Sequence, residues 1–385
     1  MQAMEPPRFG LFAAKDTNLK WVATLLLADT SKVDNPLVLF VHQSDTMIGS
    51  IKTILSLAAP KEVTMKKLFV LLATVFFLGN VKSETWINSH LHWQDSYDPE
   101  LVFRQLEDAG VTASIIMPRF YHGPNGGKTR MGDIPASDTN VEKLARENPQ
   151  SFFPLVGLQR KELCDDYEWN YSGESIVHEL ETKLETGLYY GAGELIVRHF
   201  AYTKGRCGEL DLPIDSNLVQ SILDALKGHN LPLVIHMEAE PHQVESFRRI
   251  LKKNPNSKIV WAHNCGRMQP QKIDAFLAAF PNVNCDLSNM NHNGYYGSGK
   301  PRMEPYTFLP FKKRHVDKDQ MLLMKKYPDR FLLGSDCCHA RGLKNGAITR
   351  NINTLVDAMS GMTPEEQNKI FRQNAIRVFN LPLDK

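Results

Sequence analysis

The chain has 385 residues, 42% hydrophobic and 23% charged, with a formal net charge of +2, which describes an ordinary soluble globular protein. Lysine and arginine are spread without a basic tail or a basic stripe interleaved with aromatics, so no nucleic-acid partner is expected. The six cysteines, Cys164, Cys207, Cys265, Cys285, Cys337 and Cys338, have neither C-x-x-C spacing nor the density of a disulfide scaffold, and buried thiols are the reading they favour.

In chain order, residues 1–64 hold apolar patches (Val22 to Leu27, Leu37 to Val41) without a sustained period or a motif, and they stand as an unassigned upstream extension or a mis-called start. Met65-Lys66-Lys67, the apolar run Leu68 to Gly79 and small residues at Val81 and Ser83 then make the three parts of a secretory signal peptide over 65–83. The run is too short to span a bilayer, which takes about 20 apolar residues; a buried core helix is the other reading. If translation starts at Met65, the protein is expected to be periplasmic or secreted, with no membrane association after cleavage; otherwise its location is open. Residues 84–385 then suit one barrel domain, since such barrels take about 250 residues or more.

From Thr85 on, β-branched apolar runs alternate with segments of helical period. The strand candidates are Thr85 to His92, Val111 to Pro118, Phe152 to Gln159, Gly191 to Val197, Leu231 to Met237, Lys258 to Asn264, Asn282 to Asn289 and Phe331 to Cys337. Helical stretches between them include Pro99 to Ala109, Ser175 to Thr186, Ser216 to Lys227, Gln243 to Lys253, Gln271 to Phe280 and Asp317 to Lys326. Strand then helix, repeated with strands apolar on both faces, predicts an α/β fold with a parallel sheet covered by helices, and eight units predict a (β/α)8 TIM barrel. A doubly wound open sheet competes, but no G-x-G-x-x-G follows the first strand. Two long connections, from Arg119 and from Asn289, are expected to rise over the barrel mouth as substrate loops.

His90 and His92 stand two apart on strand one, so both imidazoles point to one face and one ion can meet both. Strand four carries Glu194, strand five ends in His236, strand six in His263 and strand eight in Asp336. Taken singly, each is a hydrogen-bonded core residue or a helix cap. Together they place imidazoles and carboxylates at one rim, where burial without partners costs several kcal/mol and a divalent cation supplies the partner.

These motifs, N-S-H-L-H on strand one, G-A-G-E-L on strand four, single histidines closing strands five and six, G-S-D on strand eight and the final NAIRVFNL (Asn374 to Leu381), resemble the amidohydrolase superfamily, in particular its amidohydrolase-related branch of metal-dependent TIM-barrel hydrolases. The resemblance implies that His90, His92 and His236 are metal ligands and that Asp336 binds the metal or its water and acts as general base. It gives His263 a catalytic place, ligating a second metal or polarising the substrate. Glu194 matches a carboxylate that bridges two metals in some members and is dispensable in mononuclear ones. The implied cofactor is a divalent metal of zinc type, one or two ions. One departure stands out: Asn88 replaces the family's usual Asp, which puts in doubt a charge that would orient His90.

The activity so implied is hydrolysis of an amide, ester or lactone bond of a small substrate by a metal-activated water. Arg119, Arg198 and Tyr296 lie on or beside the expected mouth as candidates for substrate binding, and the arginines would suit a substrate carboxylate. The alternatives are a non-oxidative decarboxylase of the same branch and a non-catalytic small-molecule-binding barrel. A small-molecule substrate is the expected partner, and a homo-oligomer is left open.

Overall fold

The computed structural model describes residues 21–25, 37–43, 54–57, 85–94, 97–118, 138–158, 173–199, 209–290, 308–312, 315–337 and 340–384. The chain divides into two compact units, residues 1–83 and 84–385. In the first, Trp21–Leu25, Leu37–Gln43 and Ile54–Leu57 form an antiparallel three-stranded sheet. The signal-like stretch 65–83 and both long connections, 119–137 and 291–307, fall outside the described residues. Among the described residues no helix is long and apolar enough to cross a membrane.

The second unit alternates strand and helix. It runs β1 (Trp86–Trp93), α1 (Pro99–Asp108), β2 (Val111–Pro118), α2 (Asp138–Glu147), β3 (Phe152–Pro154, continued by Val156–Gly157), α3 (Gly173–Glu185), β4 (Ala192–His199), α4 (Asn217–Gly228) and β5 (Pro232–Met237). Then come α5 (Pro241–Lys253), β6 (Lys258–Trp261), α6 (Pro270–Ala279), β7 (Val283–Asp286), α7 (Lys318–Lys326), β8 (Phe331–Leu332), α8 (Ala347–Ala358) and α9 (Pro364–Asn368) before the closing α10 (Asn374–Phe379). Helix starts follow local chemistry. Asp98 accepts from Glu100 N ahead of Pro99, and Ser216 accepts from Val219 N, each satisfying a first-turn donor.

Neighbouring strands pair in parallel from β1 through β8. The β3 segment bridges its two neighbours, since Leu155 N donates to Ile116 O (2.9 Å) and Val156 N to Gly191 O (3.0 Å). The ring returns to its start: Ser89 N donates to Leu333 O (2.7 Å), Asp336 N to His90 O (3.0 Å) and His92 N to Cys337 O (3.1 Å), with Leu91 and Cys337 forming a parallel bridge. This is the TIM-barrel architecture expected from the alternation.

Strand alternation divides the core in two. Ala113, Ile115, Met117, Val234, Val260 and Leu332 cluster with Ala375, Ile376, Val378 and Phe379 of the C-terminal helix, the inner layer of the ring. Residues of opposite parity, such as Ile116, Leu233, Ile235, Ile259 and Trp261, pack instead with the helices. On β5 and β8 the inner face continues upward from Val234 to His236 and from Leu332 to Asp336, so an apolar floor lies beneath a polar rim.

Candidate active site

Leu91 and Trp93 pack outward, while His90 and His92 turn inward and are fully buried. Their Nε2 atoms lie 3.1 Å apart. Glu194 reaches from β4 to both: its Oε1 is 3.8 Å from His90 Nε2 and its Oε2 3.4 Å from His92 Nε2. On the other side Glu194 Oε1 lies 3.2 Å from His236 Nδ1 and 3.4 Å from His263 Nε2, and these two nitrogens are 3.0 Å apart. Asp336 Oδ1 completes the ring at 3.3 Å from His92 Nε2 and 3.7 Å from His90 Nε2. All six rim residues expected from the strand ends therefore converge on one place.

Three of the four imidazoles have their remaining nitrogen engaged by an oxygen. His90 Nδ1 lies 2.9 Å from Asp286 Oδ2, His236 Nε2 lies 3.4 Å from Glu238 Oε1, and His263 Nδ1 lies 3.1 Å from the Ser288 carbonyl. A carbonyl or carboxylate oxygen accepts, so these nitrogens carry the protons, and the neutral rings turn lone pairs on His90 Nε2, His236 Nδ1 and His263 Nε2 toward one another. Lone pairs facing across 3.0–3.1 Å repel unless a proton or a metal cation sits between them. Two nitrogens bound tetrahedrally to one ion at about 2.0–2.1 Å are themselves about 3.4 Å apart, close to this spacing. Two ligand groups emerge, His90 with His92 and Glu194, and Glu194 with His236 and His263. The donor set fits a divalent metal.

Protons compete with a metal cation for these nitrogens. Burial acts to raise the Glu194 pKa, but the charge on His236 and hydrogen bonds from His236, His263 and His92 hold it well below the usual carboxylate range. Asp336 is held down against burial by the His92 hydrogen bond and the neighbouring imidazoles, and Asp286 by His90. Burial acts to lower His90, yet Asp286, with Glu194 and Asp336, raises it to about 9. His263 goes the other way, lowered by burial and by the charges of Arg267 and His236. Glu238 sits near about 2 because the Arg267 guanidinium outweighs its burial.

Asp286, Glu238, Arg267 and Ser288 are site residues that the motifs did not single out. Asp286 ends an apolar run just as the chosen residues do, and Glu238 follows His236 at a spacing of two, so both carried a readable signal. Arg267 carried none. It pairs with Glu238 in full burial. Its strand was expected to run to Asn264, but β6 ends at Trp261 and residues His263 to Arg267 all adopt positive φ (57, 53, 53, 69 and 62°). His263 N donates to Asp286 Oδ1 (3.2 Å), and a Cβ on Gly266 would lie 2.4 Å from Met237 O, so tertiary contacts impose this left-handed turn. Gly334 of the G-S-D motif is needed for close approach as well: a Cβ there would lie 2.9 Å from the Cβ atoms of both His90 and Ser288.

The turn also overturns the reading of the cysteines as thiols. Cys265 and Cys285 form a disulfide, and Cys337 is disulfide-bonded too. Their spacing of 20 matches no motif, but β6 and β7 are parallel neighbours, and the turn brings the Cα atoms to 4.9 Å.

Arg198, expected to meet substrate, is instead committed within the protein. Its guanidinium pairs with Glu240 and Glu209 and donates to Leu210 O (2.7 Å). The other two substrate candidates, Arg119 and Tyr296, lie outside the described residues. Asn88 is fully buried and seals β1 to β8: its Nδ2 donates to Ser335 Oγ and its Oδ1 accepts from Ser335 N, both at 2.9 Å. The carboxylate behind His90 comes from Asp286.

The amidohydrolase family model matches residues 204–381. No curated protein sequence matches the chain. Solved structures similar to it include an uncharacterized TIM-barrel protein from Bordetella bronchiseptica (15% identity, 74% of this chain and 83% of that one, TM-score 0.48). Others are an amidohydrolase from Burkholderia multivorans (14%, 77% and 100%, 0.45) and a dihydroxybenzoic acid decarboxylase from Polaromonas sp. JS666 with bound manganese (11%, 78% and 98%, 0.47). Over residues 204–381, which carry His236, His263 and Asp336, the chain is similar to the amidohydrolase family.

Proposed function

We propose that the protein is a metal-dependent hydrolase acting on an amide, ester or lactone bond of a small substrate. The observation that supports this most is the convergence of imidazole lone pairs on Glu194, with the opposite ring nitrogens of His90, His236 and His263 engaged by oxygens. His90, His92, Glu194, His236 and Asp336 would hold the metal, zinc on the donor chemistry. Because its Nδ1 gives its proton to the Ser288 carbonyl, His263 presents a lone pair and would join them as a ligand rather than donate to substrate. Membership of Glu194 in both ligand groups suits two ions.

A divalent ion in such a site acts as a Lewis acid and lowers the pKa of water from 15.7 to about 7. Asp336 supplies the proton acceptor. It is ionised, its side chain keeps 10% exposure, and its backbone is pinned at φ 44° with its N–H on His90 O, so the carboxylate is held at the inner rim. His90 and His236 are oriented by Asp286 and Glu238, which keeps their lone pairs turned inward. The disulfide at Cys265 and Cys285 supports export of the chain, since such bonds persist in oxidising compartments, and N-terminal sequencing of exported protein should then begin near Glu84.

The test is metal analysis of the purified protein followed by a screen of lactones, esters and N-acyl compounds with acid release titrated. The expected result is stoichiometric divalent metal and release of an acid group. Protein without bound metal, or carbon dioxide released without consumption of water, would overturn the hydrolase and, in the second case, establish the decarboxylase.

A further inference from the structure

Gln94 follows the two β1 histidines at the same spacing of two. Leu91 and Trp93 pack outward into the main cluster, and Gln94 is the first residue past the end of β1; carried one residue beyond Trp93, the alternation puts Gln94 on the face of His90 and His92, toward the mouth. It is 2% exposed, and among the described residues neither its Nε2 nor its Oε1 has a hydrogen-bond partner. Its backbone carbonyl is used, accepting from Tyr97 N at 3.0 Å, so only the side-chain amide stands idle. A buried amide with both its donor and its acceptor idle lowers stability and fits a residue whose partner is a ligand. Ser114 and Ser257 also have buried hydroxyls without partners among the described residues, but Ser114 is level with Asn88, beneath the histidines, and Ser257 precedes β6 at the opposite end of the barrel; His92 Nδ1 belongs to the rim itself.

We propose that Gln94 is a substrate-binding residue that selects a cis amide edge, the adjacent C=O and N–H of a primary amide, lactam or cyclic ureide. Such an edge pairs with both halves of the Gln94 amide at once, its oxygen accepting from Nε2 and its N–H donating to Oε1. An ester, a lactone or a carboxylate offers acceptors alone and leaves Oε1 unpaired. This inference rests on the hydrolase reading and narrows its three bond classes to substrates that carry an amide edge. A site built to pair a donor discriminates strongly against an analogue that lacks it.

The test uses two rings of matched size, δ-valerolactam and cyclohexanone, which differ in the N–H. Binding to the purified protein is measured by calorimetry for wild type, Gln94→Leu and, as a second apolar replacement of similar shape, Gln94→Met. We expect wild type to bind the lactam at least about tenfold more tightly than the ketone, and both variants to bring the two within about twofold. Ligand-free Gln94→Leu should melt a few degrees higher than wild type, because two idle buried groups are gone; a structural glutamine would make it melt lower. No lactam preference in wild type, a preference that survives in the variants, or a lower melting point would overturn the proposal. Hydrolysis of primary amides and lactams, followed separately by the carboxylate and amine formed, reports on the hydrolase reading, so its failure beside an intact lactam preference leaves the role of Gln94 standing.

Discussion

The His90 corner and the His263 corner of the rim use similar parts and hold protons differently. Behind His90 stands Asp286, a carboxylate with no arginine among the groups that hold its charge, and His90 rises to about 9. Across the site, Glu238 is neutralised by the buried Arg267, and the same guanidinium helps to push His263 below its ordinary value. What stands behind each imidazole therefore shapes its proton affinity: His90 has the Asp286 carboxylate at Nδ1, whereas His263 has the uncharged Ser288 carbonyl there and the Arg267 charge nearby. One corner is tuned to hold positive charge and the other to offer a lone pair.

The largest effect should come from breaking the second corner. Arg267→Met leaves Glu238 as an uncompensated buried charge, and a loss of about 3–5 kcal/mol is expected, read by urea unfolding. Arg267→Met combined with Glu238→Gln should recover most of it. If the single variant unfolds with the wild-type midpoint, the pairing does not govern that corner.

Next in size is the first corner. Asp286→Asn removes the carboxylate that orients His90 and should lower metal affinity or activity by about 10–100-fold, measured by metal titration. It also changes the pH profile of the metal-free protein. The folded-state pKa of His90 is raised, from 6.5 to about 9, so its contribution to stability is fully present below about 6.5 and is lost as pH rises through about 9. In Asp286→Asn that decline should move to lower pH. Metal affinity runs in the opposite sense, rising over the same window as the proton on His90 is given up. A metal-free stability curve that stays flat between pH 6.5 and 9 would contradict the raised value.

The rim was legible because two rules act together: a strand alternates its faces, and an apolar run that ends in a polar residue marks the end of the barrel interior. His90, His92, Glu194, His236, His263 and Asp336 follow both rules, and the structure gathers them. Asp286 obeys the same rules in VNCD but drew no motif. Arg267 and the Cys265–Cys285 disulfide depend on the left-handed turn, which comes from Gly266 lodged against Met237 and from the bond of His263 N to Asp286, contacts between distant parts of the chain. Arg198 shows what the sequence leaves out: an arginine near a barrel mouth reads as a substrate clasp, and the pairing of its guanidinium with Glu240 and Glu209 is seen only in the fold.

The smallest expected effect on the metal concerns Asn88, where the family's usual Asp is absent. If a carboxylate at this position oriented His90, Asn88→Asp would strengthen metal binding, but Asp286 already does that from β7. Asn88 instead closes the barrel seam, and its two bonds to Ser335 require one donor and one acceptor. Ser335 Oγ gives its own proton to His90 O (3.1 Å), so it faces Asn88 as an acceptor, and an ionised Asp there would set oxygen against oxygen. Asn88→Asp should therefore change metal affinity by far less than the tenfold that marks an orienting partner. It should cost about 0.5–1.5 kcal/mol of stability for the lost hydrogen bond, a cost relieved in the Asn88→Asp, Ser335→Ala double variant, where the opposing oxygen is gone. Metal titration and urea unfolding of the three proteins decide it, and a tenfold gain in affinity for Asn88→Asp would return the orienting role to β1.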